Sequence, residues 1–167
     1  RQDSVYALSG GTGALGLLVA SWMRVRGACR LLLLSRSGQK GRGEHWKQLQ
    51  ASPGGDTSIW GCDVAVGLSA GDSATGIIHA AGVDMYVALS DLVQLQLCTV
   101  LAPKTDGTSS LQHCTISSAL ECFLVFSSAS ALVGLKSGSV YSAANSCLDS
   151  SVQCRRAAGL AGQSVQW

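Results

Sequence analysis

Short apolar runs alternate with longer segments of helical periodicity along the whole chain of 167 residues. This alternation is typical of βαβ units, in which the strands form a parallel sheet. The apolar runs are continuous, as expected for strands that helices cover on both faces. The sequence therefore predicts an α/β fold with a doubly wound parallel sheet, and an apolar content of 47% against 13% charged residues agrees with such a buried sheet.

The runs predict six strands, at residues 5–8, 30–35, 57–62, 76–79, 122–127 and 164–166. Helices are predicted at 14–26, 44–50, 89–111 and 141–158, with a break near Pro103 in the third of them. The first helix is expected to turn these side chains inward: Leu15, Leu18, Val19, Trp22 and Met23. Because the chain stops in its last strand, we expect the C-terminal edge of the sheet to be missing. Residues 1–167 are thus predicted to be a single domain, cut from a larger multidomain chain.

Net charge and hydropathy argue against two classes of partner. The net charge is +2 without a basic cluster, so no nucleic-acid partner is expected. The neighbouring Arg24, Arg26 and Arg30 are interpreted as a solvated helix end. No apolar run approaches the roughly 18 residues that span a bilayer, and no signal peptide is recognised. A cytoplasmic location is expected, or an organellar lumen if a targeting segment lies upstream.

The seven cysteines do not form a recognisable framework. Their number is odd, and neither a CxxC pair nor a cysteine–histidine spacing for zinc occurs. Several lie in apolar runs, so we predict buried, reduced thiols and no metal site.

A glycine-rich turn follows the first predicted strand and opens the first helix. It contains the candidate cofactor-binding residues Gly10, Gly11, Thr12, Gly13, Leu15 and Gly16. Glycines allow positive φ and let the backbone approach a pyrophosphate, whose charge meets the helix N-terminus. An ordinary glycine-rich turn is the alternative, but the position between strand and helix favours dinucleotide binding.

The end of the second strand indicates which dinucleotide binds. An NAD-dependent protein carries an acidic residue there for the ribose 2′-hydroxyl, whereas this chain has Ser35, Arg36 and Ser37. A guanidinium pairs with a 2′-phosphate, which an acid would repel. The pattern favours NADPH, with a solvated loop arginine as the alternative.

Four further residues could carry chemistry: Lys104, Ser128, Tyr141 and Asn145. Tyr141 and Asn145 are one helical turn apart, and Ser128 follows a buried strand. A ketone reduction needs a proton donor at the carbonyl oxygen, and a tyrosine serves if a nearby cation stabilises its phenolate. Taken singly, Ser128 could be a turn hydroxyl, Tyr141 a core aromatic and Lys104 a surface cation.

Together these motifs resemble the ketoreductase (KR) domains of polyketide synthases, within the short-chain dehydrogenase/reductase superfamily. The landmarks are SGGTGALG (9–16), LLLLSRSG (31–38), CDV (62–64), IIHAAGV (77–83), LAPKTDG (101–107), FSSASALVG (126–134) and YSAAN (141–145). Free-standing members of the superfamily place a lysine four residues after the tyrosine. Asn145 occupies that position here and the lysine lies upstream, as in polyketide and animal-type fatty acid synthases.

The resemblance implies a Rossmann-type fold and a role for each site residue. Tyr141 would donate a proton to the β-keto oxygen and Ser128 would hold that oxygen. Lys104 would stabilise the phenolate, and Asn145 would position Lys104 or a relay water. His79 is interpreted as structural, because a tyrosine already serves as the acid.

The resemblance also implies contacts with cofactor and partners. Asp63 and Val64 would lie against the adenine, and Ala80, Ala81 and Gly82 beside the cofactor's ribose. The substrate would be a β-ketoacyl chain carried by phosphopantetheine on an acyl carrier protein, and neighbouring synthase domains would be further partners.

Three alternatives stay open at this point. The segment from Asp63 to His79 is about two helical turns shorter than its counterpart in the family, which suggests a degenerate, non-catalytic NADP-binding module. A ketoreductase of an animal-type fatty acid synthase is the second alternative. A free-standing reductase is the third, and Asn145 disfavours it.

Overall fold

The computed structural model describes residues 4–28, 30–52, 55–67 and 74–167. These residues form one six-stranded sheet in the order β3-β2-β1-β4-β5-β6, with every neighbouring pair parallel. The strands are β1 (Val5–Ser9), β2 (Arg30–Ser35), β3 (Asp56–Gly61), β4 (Gly76–His79), β5 (Cys122–Ser127) and β6 (Gln163–Gln166). The predicted doubly wound, Rossmann-type parallel sheet is confirmed.

Helices cover the sheet from both sides. They are α1 (Ala14–Val25), α2 (Glu44–Ala51), α3 (Gln94–Thr115), α4 (Ser130–Val133) and α5 (Ser139–Ala157). Successive strand residues point to opposite faces, so Leu8 and Ile78 pack with α1 and α2, while Ala7 and Ile77 pack with α3 and α5. The short helix α4 was not predicted, and α5 begins two residues earlier than predicted.

The strand order reverses beside β1, and this reversal creates a crevice. β1 pairs with β2 on one side and with β4 on the other, so Ser9 lies opposite both Leu34 and His79. In open parallel sheets, ligands bind at the carboxyl ends of the strands at such a switch point. The crevice lies directly above the end of β1.

The inward face of α1 differs from the prediction. Leu18 and Trp22 are 46% and 58% exposed, whereas Leu17 and Ala20 are buried. A Cβ at Gly16 would collide with the carbonyl group of Gly10. Gly16 must therefore face the preceding turn. Compared with the predicted orientation, the helix is rotated about its axis by about one residue, and this rotation turns Trp22 to solvent.

The predicted break at Pro103 is wrong, because α3 continues through it. The helix begins later than predicted, at Gln94, where the Gln96 side chain accepts the Val93 N–H at 3.1 Å. Pro103 cannot donate to the helix, which normally weakens or bends it. Burial of Val100 and Lys104 on the inner face keeps the segment helical. Residues Leu89–Asp91, included in the predicted helix, form a separate 3₁₀ turn.

Arg24 is not part of a solvated helix end. It is buried, and its guanidinium donates to the carbonyl oxygens of Ala28 (2.5 Å) and Asp56 (2.7 Å) and to the Thr57 hydroxyl (2.6 Å). These acceptors tie α1 to β3, which no local sequence pattern indicates. Arg26 and Arg30 are exposed, and the Arg26 guanidinium lies 5.6 Å from the Trp22 ring centroid.

The prediction of buried thiols is also wrong for the described cysteines. All six are free, but Cys98, Cys147 and Cys154 are exposed on α3 and α5, and the other three are half-buried. The three exposed cysteines lie on the outer faces of their helices. The apolar sequence around a cysteine does not indicate which face of a helix it occupies. Cys29 lies outside the described residues.

The connection from β3 to β4 was predicted to be short. Residues 64–66 form a turn, and no helix occurs in its described residues, 62–67 and 74–75. The remainder, residues 68–73, lies outside the described part of the chain.

Candidate active site

The glycine-rich turn closes tightly over the end of β1. Gly10 has a φ of +68°, and a Cβ there would lie 2.7 Å from the Ala81 nitrogen. The Gly13 N–H donates to the Gly10 carbonyl at 3.0 Å, and α1 begins directly afterwards. The first N–H groups of a helix have no partner within it, so they can bind an anion placed above the turn.

A cleft of about 370 Å³ opens beside this turn. Ten of the fourteen predicted cofactor-binding residues line it: Gly10, Gly13, Ser35, Arg36, Ser37, Asp63, Val64, Ala80, Ala81 and Gly82. The other four, Gly11, Thr12, Leu15 and Gly16, belong to the turn and the start of α1 but do not line the cleft. Residues far apart in sequence thus surround one cavity at the switch point.

Sequence analysis missed four residues of the cleft wall: Leu34, Cys62, Val83 and Pro103. The first three are sequence neighbours of predicted ones, so the strand ends contained their signal. Pro103 comes from α3 and precedes Lys104. The turn of α3 that carries the lysine therefore borders the cleft.

Polar groups at the ends of β2 and β3 face the same cavity. Arg36 is exposed, whereas the Ser35 hydroxyl is buried and has no hydrogen-bond partner among the described residues. Asp63 accepts the Ala65 N–H at 3.1 Å. This end of the cleft therefore carries an exposed cation, a serine whose hydroxyl is buried and a carboxylate.

Lys104 is a buried cation near the other end of the cleft. Its side chain is 5% exposed, and Nζ donates to the Phe126 carbonyl at 3.1 Å. Burial lowers the Lys104 pKa to about 8, and the carboxylates of Asp84 and Asp149 partly oppose this shift. The ammonium therefore titrates close to physiological pH.

Tyr141 and Asn145 lie on one face of α5, as predicted. The Lys104 Nζ is 5.6 Å from the Tyr141 ring centroid. Asn145 is fully buried; its Nδ2 donates to the Tyr141 carbonyl at 2.9 Å, and its Oδ1 has no partner among the described residues. Within the described residues, Asn145 and Lys104 share no hydrogen bond.

Ser128 follows β5 and stands at the start of α4. Its Oγ accepts the Ser130 N–H at 3.2 Å, which leaves the hydroxyl proton available to donate. The preceding Ser127 donates to the Asn145 carbonyl at 3.3 Å. This bond fixes the end of β5 against α5 one turn beyond Tyr141, and Ser128 is the next residue along the chain.

Tyr86 is an additional aromatic residue at this site that no sequence motif indicated. Its ring meets the Tyr141 ring edge-on, with centroids 6.1 Å apart and an interplanar angle of 63°. Aromatic pairs prefer this arrangement. The Tyr141 ring is thus held between the Lys104 ammonium and the Tyr86 ring.

The fold and this site define a nucleotide-binding α/β domain of the short-chain dehydrogenase/reductase class. The KR domain profile matches residues 4–167. The chain belongs to the KR family, the ketoreductase domains of polyketide synthases. The Rossmann fold of this family implies a nicotinamide cofactor.

Similar proteins and structures agree with this family. The chain is 35% identical over 170 residues to polyketide synthase GfsB from Streptomyces halstedii, covering 96% of this chain and 3% of that protein. It is 33% identical over 177 residues to the phthioceranic/hydroxyphthioceranic acid synthase of Mycobacterium tuberculosis, covering 100% of this chain and 8% of that one. The chain spans only these small shares of its curated relatives.

Solved ketoreductases have the same fold. A structure of A-type ketoreductases from a modular polyketide synthase matches with a TM-score of 0.87 and 30% identity, covering 100% of this chain and 38% of that one. The first ketoreductase of the tylosin polyketide synthase matches with a TM-score of 0.88 and 30% identity, covering 98% and 38%.

Neither a membrane-spanning helix nor a cluster of metal-ligating side chains occurs in the described residues. No helix in residues 4–28, 30–52, 55–67 and 74–167 has the length and apolarity to cross a membrane. The same part of the chain contains no group of histidine, cysteine and acidic residues that could hold a metal ion.

Proposed function

We propose that the protein uses NADPH to reduce a β-ketoacyl thioester, carried on an acyl carrier protein, to the β-hydroxyacyl form in polyketide synthesis. The observation that carries the proposal is the position of Lys104 and Tyr141 beside a glycine-lined cleft at the switch point of the sheet. Membership of the ketoreductase family supports the reaction type. Neighbouring synthase domains are the proposed further partners.

The residues of the cleft fit a dinucleotide. The backbone at Gly10 leaves no room for a Cβ because the turn packs against Ala80 and Ala81. A turn built of glycines also lets a pyrophosphate approach its backbone. Arg36, which lies between Ser35 and Ser37, would bind the 2′-phosphate, and Asp63 and Val64 would contact the adenine. Ala80, Ala81 and Gly82 would contact the ribose.

The proton transfer is assigned to the chain's own residues. When bound, the nicotinamide supplies a hydride to the carbonyl carbon. The Tyr141 hydroxyl donates a proton to the carbonyl oxygen, and the Ser128 hydroxyl donates a hydrogen bond to the same oxygen. The Lys104 ammonium stabilises the resulting phenolate, and Asn145 is the residue proposed to position a relay water.

The proposal is tested with purified protein, NADPH and two substrates, trans-1-decalone and a β-ketoacyl thioester. Oxidation of NADPH, followed by absorbance, is the expected result with both. If protein that binds NADPH oxidises it with neither substrate, the proposal is overturned.

A non-catalytic NADP-binding module is the second candidate, and the short β3–β4 connection favours it. Fluorescence titration with NADPH separates the readings. Binding with turnover supports the reductase, binding without turnover supports the module, and no binding at millimolar cofactor favours a purely structural role.

Arg36→Asp is expected to reduce kcat/KM with NADPH by about 10- to 100-fold, because it replaces an attraction to the 2′-phosphate by repulsion. With NADH the loss should be much smaller, since the ribose hydroxyl carries no charge. Arg30 lies at the opposite end of β2 and is also exposed. Arg30→Asp is therefore the matched control in steady-state kinetics, and equal losses with both cofactors for Arg36→Asp would contradict the assignment.

A further inference from the structure

His79, the last residue of β4, is a buried titratable side chain that the proposed chemistry does not use. It is 1% exposed, and its Nδ1 shares a hydrogen bond with the Ser9 hydroxyl of the neighbouring strand β1. Ser9 directly precedes Gly10. One edge of the imidazole is therefore tied to the residue from which the phosphate-binding turn starts.

The opposite edge of the imidazole supports helix α3. A Cβ at Gly107 would lie 3.1 Å from Val64 Cγ2, 3.3 Å from His79 Cε1 and 3.6 Å from His79 Nε2. Gly107 is one helical turn beyond Lys104, so the ring packs beside the turn that carries the lysine. A residue larger than glycine at this position would press against both the ring and Val64.

The ring meets α3 beside the carbonyl groups of Pro103 and Lys104. Burial and the Lys104 charge lower the His79 pKa to about 4, and these two carbonyl groups partly oppose the shift. The imidazole is thus neutral near pH 7. Its Nε2 has no hydrogen-bond partner among the described residues. It acts as an uncharged spacer whose size sets the distance between β4 and α3.

We propose that His79 is a positioning residue, which holds the Lys104 turn of α3 at its working distance from the sheet and anchors the phosphate-binding turn through Ser9. The inference rests on the proposed function. The position of the Lys104 Nζ depends on α3, because its two neighbours, the Phe126 carbonyl and the Tyr141 ring, belong to β5 and α5. A void beneath Gly107 would let α3 move relative to both.

The two edges of the ring predict separable kinetic effects. His79→Asn keeps an amide group near the Nδ1 position for Ser9 but removes the atoms beneath Gly107. We expect kcat to fall about tenfold, with KM for NADPH within about twofold of wild type, because misplacement of a catalytic group lowers the chemical rate. Ser9→Ala should do the opposite, raising KM for NADPH several-fold with kcat retained. His113→Asn, an exposed position on α3, is the matched control.

Gly107→Ala provides a rescue that a general loss of stability would not produce. Alone, the added methyl crowds the His79 ring and should lower kcat. In the double variant with His79→Asn, the methyl still contacts Val64 but no longer meets the ring, so kcat should be higher than in either single variant. Such non-additivity is the signature of two residues in direct contact.

Each rate is measured per active site, from NADPH titration, together with the melting temperature. A folded His79→Asn protein with wild-type kcat would overturn the inference, as would a lower active fraction with unchanged kcat per site. If His79→Asn does not fold, Ser9→Ala and Gly107→Ala decide: unchanged kinetics in both overturn it. An inactive wild-type protein would instead refute the proposed function, so the two failures are distinguishable.

Discussion

Tyr141→Phe is expected to lower kcat by about 10²- to 10⁴-fold while NADPH still binds, because it removes only the proton donor. The substitution deletes one oxygen atom and keeps the ring that contacts Tyr86. The measurement is steady-state NADPH oxidation beside a fluorescence titration of NADPH.

Tyr6→Phe, in β1 and distant from the catalytic region, is the matched control and should retain the wild-type rate. A Tyr141→Phe variant with more than about a tenth of the wild-type kcat would show that another group donates the proton.

Lys104→Met is expected to lower kcat by about 10²-fold or more, because the tyrosine loses the cation that stabilises its phenolate. Methionine fills similar space, so the buried site stays packed. Lys47→Met, on the exposed side of α2, is the matched control. Equal kcat values for the Lys104 and Lys47 variants would contradict the role of the lysine.

The pH dependence tests the same charge independently. Lys104 carries its proton below its pKa of about 8 and loses it above. The wild-type rate should therefore decline as the pH rises through about 8. Lys104→Arg keeps its charge at all these values, so its rate, although lower, should not decline in this range. A wild-type profile that stays flat from pH 7 to about 9.5 would contradict the assignment.

The order of the elements was predictable because it depends on local patterns. The run of leucines in β2 and the glycine turn before α1 each determine their own conformation within a few residues. The cleft followed from the same information, since strand ends such as Arg36 and Ala81 converge at the switch point of any doubly wound sheet.

Features that depend on distant partners were not predictable. Arg24 on α1 donates to Asp56 and Thr57 on β3, more than 30 residues away in sequence. Because these acceptors are not visible in the local sequence, the arginine was predicted to be a solvated cation. The helix continues through Pro103 because neighbouring side chains on its inner face are buried. The rule that proline interrupts a helix takes no account of such burial. Tyr86 belongs to no motif and was identified only from its contact with Tyr141.

The hydrogen bond between Ser9 and His79 joins residues 70 positions apart, and it has a consequence for how the molecule acquires its shape. The chain between such distant partners loses conformational entropy before their contacts can form and stabilise it. Pairing of β1 with β4 is therefore expected to be among the slow steps of folding. The nucleotide pocket is then completed late, when both strands are in register. A dinucleotide that binds only the finished pocket would draw the chain toward the native state by mass action.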